Sequence, residues 1–178
     1  MFAIATVPGF LGSAGAGTAN WLCFVGSWFF TTAGWMQLRL SGQEWTYEWL
    51  CAVTQFLGTI LFNVSTGSAV VAHAVLTERR LVWAPDATGS VAFLVSGVFG
   101  VVAVSIGIGR LALKSRDWQA GWINLIGCVA FGVSAVAAFV RIDGATVDTT
   151  LANLGTFVGA LCFLAAALMV LPRLRPQS

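Results

Sequence analysis

Charge is what this sequence has least of. Asp, Glu, Lys and Arg make up 9% of its 178 residues, against roughly 25% in a soluble domain. A chain so poor in charge cannot cover a water-facing surface, which excludes an ordinary soluble fold. The formal net charge is only +2 and the basic residues are scattered, so there is no nucleic-acid footprint. Histidine occurs once, at His73. A lone imidazole supplies neither a two-His haem pair nor a zinc site, and it reads as an interfacial residue. Cys23, Cys51, Cys128 and Cys162 all fall in apolar runs without CxxC spacing. They read as small buried hydrophobes rather than a disulfide set or metal site. No succession of short segments alternating at period two is visible, so a transmembrane barrel is excluded too. Neither a cofactor nor a metal is expected.

What the sequence has is long apolar runs. It is 58% hydrophobic, with a mean hydropathy of +0.87. About 20 apolar residues at 1.5 Å each cross a hydrocarbon core roughly 30 Å thick. Five such spans can be drawn, at 20–38, 49–75, 88–113, 119–140 and 151–171. The expected class is all-α: a polytopic transmembrane bundle whose first partner is the lipid bilayer. The connections "RLSGQEWTYE", "HAVLTERRLVWAPD", "KSRDW" and "RIDGATVD" hold most of the charge. They read as turns between antiparallel helices. Trp21, Trp45, Trp49, Trp83, Trp118 and Trp122 fall near span ends, where an amphipathic ring prefers the interface.

The basic residues set the expected orientation. Arg39, Arg110, Lys114, Arg116, Arg173 and Arg175 fall on one side; Arg79, Arg80 and Arg141 fall on the other. The first side is cytoplasmic under the positive-inside rule, which puts the C-terminus inside. A bacterial inner membrane is the natural setting. Residues 1–19 read as an apolar lead followed by a Gly-rich external loop, 20–172 as the bundle and 173–178 as a basic tail. The lead has no basic n-region and is not a secretory signal. It resembles the last turns of another helix. A helix before "FAIATVPGF" would make six spans, with both ends inside.

Each span carries the same pattern: Gly, small, any, any, Phe, then a small residue three further on. The members are Gly26, Phe30 and Ala33; Gly58, Phe62 and Ser65; Gly89, Phe93 and Ser96; Gly127, Phe131 and Ser134; and Gly159, Phe163 and Ala166. The glycines stand 32, 31, 38 and 32 residues apart, one helix plus one turn each time. This is an internal repeat whose unit is a single transmembrane helix. At about 100° per residue, positions i, i+4 and i+7 share one face. Helices in lipid associate through close backbone approach and shape fit. Gly is then a notch, Phe a knob and the small residue a second notch. Phe rings lining a site for a flat, greasy molecule are the alternative reading.

No ionisable residue lies near the centre of a span, which disfavours a charge-coupled pump. The polar residues that remain are Gln55, Asn63, Asn124 and Asn153. They read as interhelical glue, at about 0.6 kcal/mol per hydrogen bond, or as the lining of a small polar cavity. Glu44 and Glu48 stand four apart but have no nucleophile or ligand set beside them, and they read as a solvated helix start.

The segments "FVGSWFFTTAGWMQL", "QFLGTILFNVST", "WAPDATGSVAFLVSG", "INLIGCVAFGVSAVAAF" and "ANLGTFVGALCFLAAALMVLP" together resemble the YrhK-domain-like family of small bacterial membrane proteins. The likeness covers nearly the whole chain and is most specific at "GTILFNVST" and "NLGTFVGALCFL". It implies a multi-span architecture, with one more helix ahead of the equivalent of "FAIATVPGF". It carries no reaction, substrate or catalytic residue. Three functions remain. The first is a structural, accessory or oligomerising bundle, partnered by its own copies or by a larger membrane complex. The second is a transporter-like protein binding a small solute or lipid at the uncharged polar residues. The third, an intramembrane enzyme, lacks any catalytic constellation.

Overall fold

The computed structural model describes residues 1–72, 74–109 and 111–171, with Leu11 described by its backbone alone. His73, Arg110 and the basic tail 173–178 lie outside the described residues. Among the described residues there are six helices: α1 Phe2–Thr6, α2 Phe10–Leu40, α3 Tyr47–Val71, α4 Val75–Ile108, α5 Arg116–Ala137 and α6 Thr149–Val170. Three of them start at a side-chain cap, which satisfies an amide the first turn leaves unpaired. Thr46 Oγ1 accepts from Trp49 N at 3.1 Å. Ser115 Oγ accepts from Trp118 N at 3.4 Å, and Asp148 Oδ1 from Leu151 N at 2.9 Å.

Four helices, α3 to α6, are long and apolar enough to cross a membrane, as a multi-pass membrane protein requires. They coincide with four of the five expected spans. The remaining one, 20–38, lies inside α2. That helix is long enough at 31 residues, but Asn20, Ser27, Thr31, Thr32, Gly34, Gln37 and three tryptophans dilute its hydropathy.

Two segments differ from the sequence expectation. The Gly-rich stretch expected as an external loop is helical. Ala is the best helix former, and the alanines between the glycines carry α2 through this stretch. The helix is interrupted only at Gly15 (φ 80°, ψ 156°), a conformation that a residue with a Cβ avoids. The segment "HAVLTERRLVWAPD", expected as a connection, is helical from Val75 onward. Residues Glu78–Trp83 form a wide π turn in which Ala84 N–H reaches back five residues to Arg79 O. The wide turn sits directly before Pro85, which has no N–H to donate to the helix ladder.

Helices α2 to α6 pack each on the next in chain order, and α1 packs on both α2 and α6. The polarity of the bundle is reversed from that of a soluble one. Ser27, Thr59, Ser65, Thr66, Ser90, Ser96 and Ser134 are buried, while Val91, Val98, Ile126, Val136, Leu164 and Leu168 face outward. Aliphatic side chains gain nothing by leaving lipid for a protein core, so small residues that admit close helix contact take the inside.

Candidate functional site

The five stripe phenylalanines come from five different helices and meet in one cluster. Phe131 stacks on Phe163 with centroids 5.2 Å apart. Phe93 touches Phe30, Phe131 and Phe163 at 5.5, 6.1 and 6.1 Å. Phe62 touches Phe93 and Phe131 at 6.2 and 5.8 Å, and Phe30 meets Phe163 at 5.6 Å. Separations of 4.5–7 Å with tilted or edge contacts are those that the ring quadrupole favours.

The stripe glycines admit these rings. A Cβ on Gly58 would stand 2.5 Å from the Phe93 ring and 3.1 Å from Gly89 O. One on Gly127 would stand 2.8 Å from Phe163, and one on Gly159 2.6 Å from Phe131. A Cβ on Gly89 would stand 3.1 Å from the Gly58 carbonyl oxygen. The exchange of notch and knob is reciprocal between α5 and α6, through Gly127 with Phe163 and Gly159 with Phe131, and runs one way between α3 and α4, through Gly58 with Phe93.

The small residues of the stripe differ from one another. Ser96 Oγ donates to Cys51 O across the α3–α4 contact at 2.9 Å. Ser134 Oγ donates to Ala152 O at 2.6 Å. Ser65 and Ala166 are buried, and Ala33 lines a cavity. One member escaped the sequence reading. Phe2 of α1 packs edge-on against Phe62 at 5.3 Å and Phe30 at 6.4 Å. It also lies on the Gly26 notch, 3.4 Å from a Cβ placed there. Ala5, three residues on, is 1% exposed. The pair repeats the Phe-x-x-small part of the signal, and a search anchored on Gly passes over it.

The four polar candidates separate. Asn63 belongs to the α2–α3 contact: its Oδ1 accepts from Ser27 Oγ and its Nδ2 donates to Thr31 Oγ1. Thr66 Oγ1 donates to Ser27 Oγ at 3.0 Å, and Asn20 Nδ2 to Ala69 O at 2.9 Å. A polar seam thus runs along two helices, built on Ser27 and Thr31 four apart and on Asn63 and Thr66 three apart. That spacing is readable in the sequence once hydroxyls are counted with the amides. Asn153 is half-buried and stands apart from the others.

Gln55 and Asn124 both line a cavity of about 820 Å³. It lies between the Phe cluster and the helix ends that carry Arg39, Lys114 and Arg116. Phe30, Phe131, Phe163, Ser96, Cys51, Gln37 and Asp117 also line it. A second cavity of about 370 Å³ shares Gln37, Cys51, Gly100 and Val104 with it and reaches Ser41 and Glu48. Asn124 Nδ2 makes only a long contact of 3.9 Å to Cys128 Sγ. Gln55 is 6% exposed, and its Oε1 has no hydrogen-bond partner.

Nothing else among the described residues gathers chemistry. No group of three His, Cys, Asp or Glu is placed to hold a metal ion. All four cysteines are free thiols, with Cys128 fully buried in the aromatic core. Glu44 lies in the turn before α3 and Glu48 in its first turn, both exposed. No protein-family model, curated protein or solved structure matches this chain.

Proposed function

We propose that this chain is a five-span bundle of the YrhK-domain-like kind, in a bacterial inner membrane with its C-terminus cytoplasmic, and that it serves as a structural, accessory or oligomerising component. The convergence of the stripe phenylalanines carries the reading. Gly, Phe and small positions are spent on holding the helices together, and no ionisable residue lies near the centre of a span drawn from the sequence, where transport or catalysis would call for one. As the fifth span, α2 turns Trp21, Trp28, Phe29, Trp35 and Met36 outward, which suits lipid or a neighbouring protein. The decisive experiment is purification in mild detergent with measurement of the complex mass. A defined homo-oligomer or a stoichiometric protein companion is expected. A monodisperse monomer carrying lipid alone refutes the accessory role.

A second reading has its own observation. The cavity lined by Gln55 and Asn124 supports the binding of a small molecule or lipid, with the site narrowed from four polar residues to two. Asn63, already bonded to α2, belongs to the scaffold.

A further inference from the structure

We infer that the cavity beneath the Phe cluster binds a single-chain amphiphile whose uncharged head group carries a hydroxyl, with that hydroxyl on Gln55 and the hydrocarbon on the phenyl rings. The inference rests on the second reading above and names its ligand class.

Size, grading and an orphaned atom carry it. At about 820 Å³ the cavity falls within the roughly 300–1,000 Å³ of small-molecule sites. Along α2 the lining runs from Phe30 to Gln37, and along α5 from Phe131 through Asn124 to Asp117, so on these two helices the rings lie toward one end and the polar side chains toward the other. A hydrocarbon tail fits the first zone and a polar head the second. Gln55 Oε1 is buried and unpartnered, and a buried amide oxygen is rarely left so. An O–H donor satisfies it; a hydrocarbon cannot. An anionic head is disfavoured, because Gln55 and Asn124 offer no countercharge and Asp117, also in the lining, repels it. The cavity is lined on both flanks by small residues, Ala33 and Gly34 of α2 and Ala160 and Ala167 of α6, and these leave the room that a chain occupies.

The test uses the full chain in phosphatidylcholine nanodiscs with diazirine-bearing hexadecanol as probe and hexadecanol or hexadecane as competitor. Labelled residues are mapped by mass spectrometry. Saturable labelling of cavity-lining residues is expected, with hexadecanol competing about tenfold better than hexadecane, the worth of one hydrogen bond to a buried orphan. Gln55→Met should remove that preference while leaving hydrocarbon binding in place. Ala160→Trp, on the opposite wall, should abolish saturable labelling by filling the space. Saturable labelling without alcohol preference, or a Gln55→Met protein that keeps the preference, overturns the hydroxyl assignment and leaves the cavity reading standing. Non-saturable labelling, labels outside the cavity, or cross-links to a helix of another polypeptide seated there overturn both.

Discussion

Replacing Gly58 with Ala adds one methyl group where the fold has no room for it. That methyl would stand 2.5 and 2.6 Å from two carbons of the Phe93 ring and 3.1 Å from Gly89 O. Carbon pairs rest at about 3.5–4.0 Å, so the ring must retreat by about 1 Å. Phe93 is 0% exposed and touches Phe30, Phe62, Phe131 and Phe163, so its displacement passes to four other helices. Overpacking of this kind costs about 1–3 kcal/mol. The intrinsic preference of a helix for Ala over Gly returns about 1 kcal/mol, and the net expectation is a loss of up to about 2 kcal/mol. The control is Gly17→Ala in α2, where nothing lies within 4 Å of the added Cβ and stability should hold or rise slightly. Equilibrium unfolding in mixed micelles, titrated with a denaturing detergent and followed by tryptophan fluorescence, reads both variants. A double-mutant cycle with Phe93→Leu isolates the contact: the cost of Gly58→Ala should shrink by about 1 kcal/mol once the ring is gone. If Gly58→Ala matches Gly17→Ala, or if the cycle shows no coupling, notch-and-knob packing does not hold this helix pair together.

The other expectations follow the same contacts. Asn63→Leu removes two hydrogen bonds between α2 and α3 and should cost about 1 kcal/mol at membrane-typical strengths, measured in the same titration; binding of hexadecanol should be unaffected, and a stable protein that loses the ligand would place Asn63 in the site after all. Gln55→Leu should raise stability by about 1 kcal/mol or more, because it deletes an orphaned buried amide. A fall in ligand-free stability would reveal a bond that Gln55 makes to the bundle. Asp148→Ala removes the cap on Leu151 N and should cost about 1 kcal/mol, with faster amide exchange confined to the first turn of α6. Uniform exchange across α6 would contradict a local role.

The membrane class and the packing face were both legible in the residues. Scarce charge and long apolar runs leave few alternatives to a helical bundle in lipid, and that inference needs no coordinates because it depends only on solvation. The Gly-small-x-x-Phe stripe was equally visible, since i, i+4 and i+7 fall on one helix face whatever the tertiary arrangement. The α2 segment around Gly15 misled because glycine breaks a helix only where its backbone turns to positive φ, and composition does not say which glycine that is. "TERRLVWAPD" misled because charge and Pro85 mark a turn by local propensity, while a π turn keeps the helix running through them. The seam from Ser27 to Asn63 was within reach of the sequence, as its members recur at helical spacing on both helices.

The sequence by itself determined that this chain belongs in a bilayer and that each helix has one face made for another helix, because both follow from side-chain solvation and helical period. Which faces meet was decided only by the tertiary structure. So were the fit of Phe93 against Gly58, the reciprocal fits of Gly127 with Phe163 and Gly159 with Phe131, the place of Phe2 in the cluster, and the separation of Asn63 from Gln55. Those two amides stand eight residues apart on one helix and look alike in sequence, yet one is bonded to its neighbour and the other has a buried oxygen with no partner. Only the positions of the neighbouring helices make that difference.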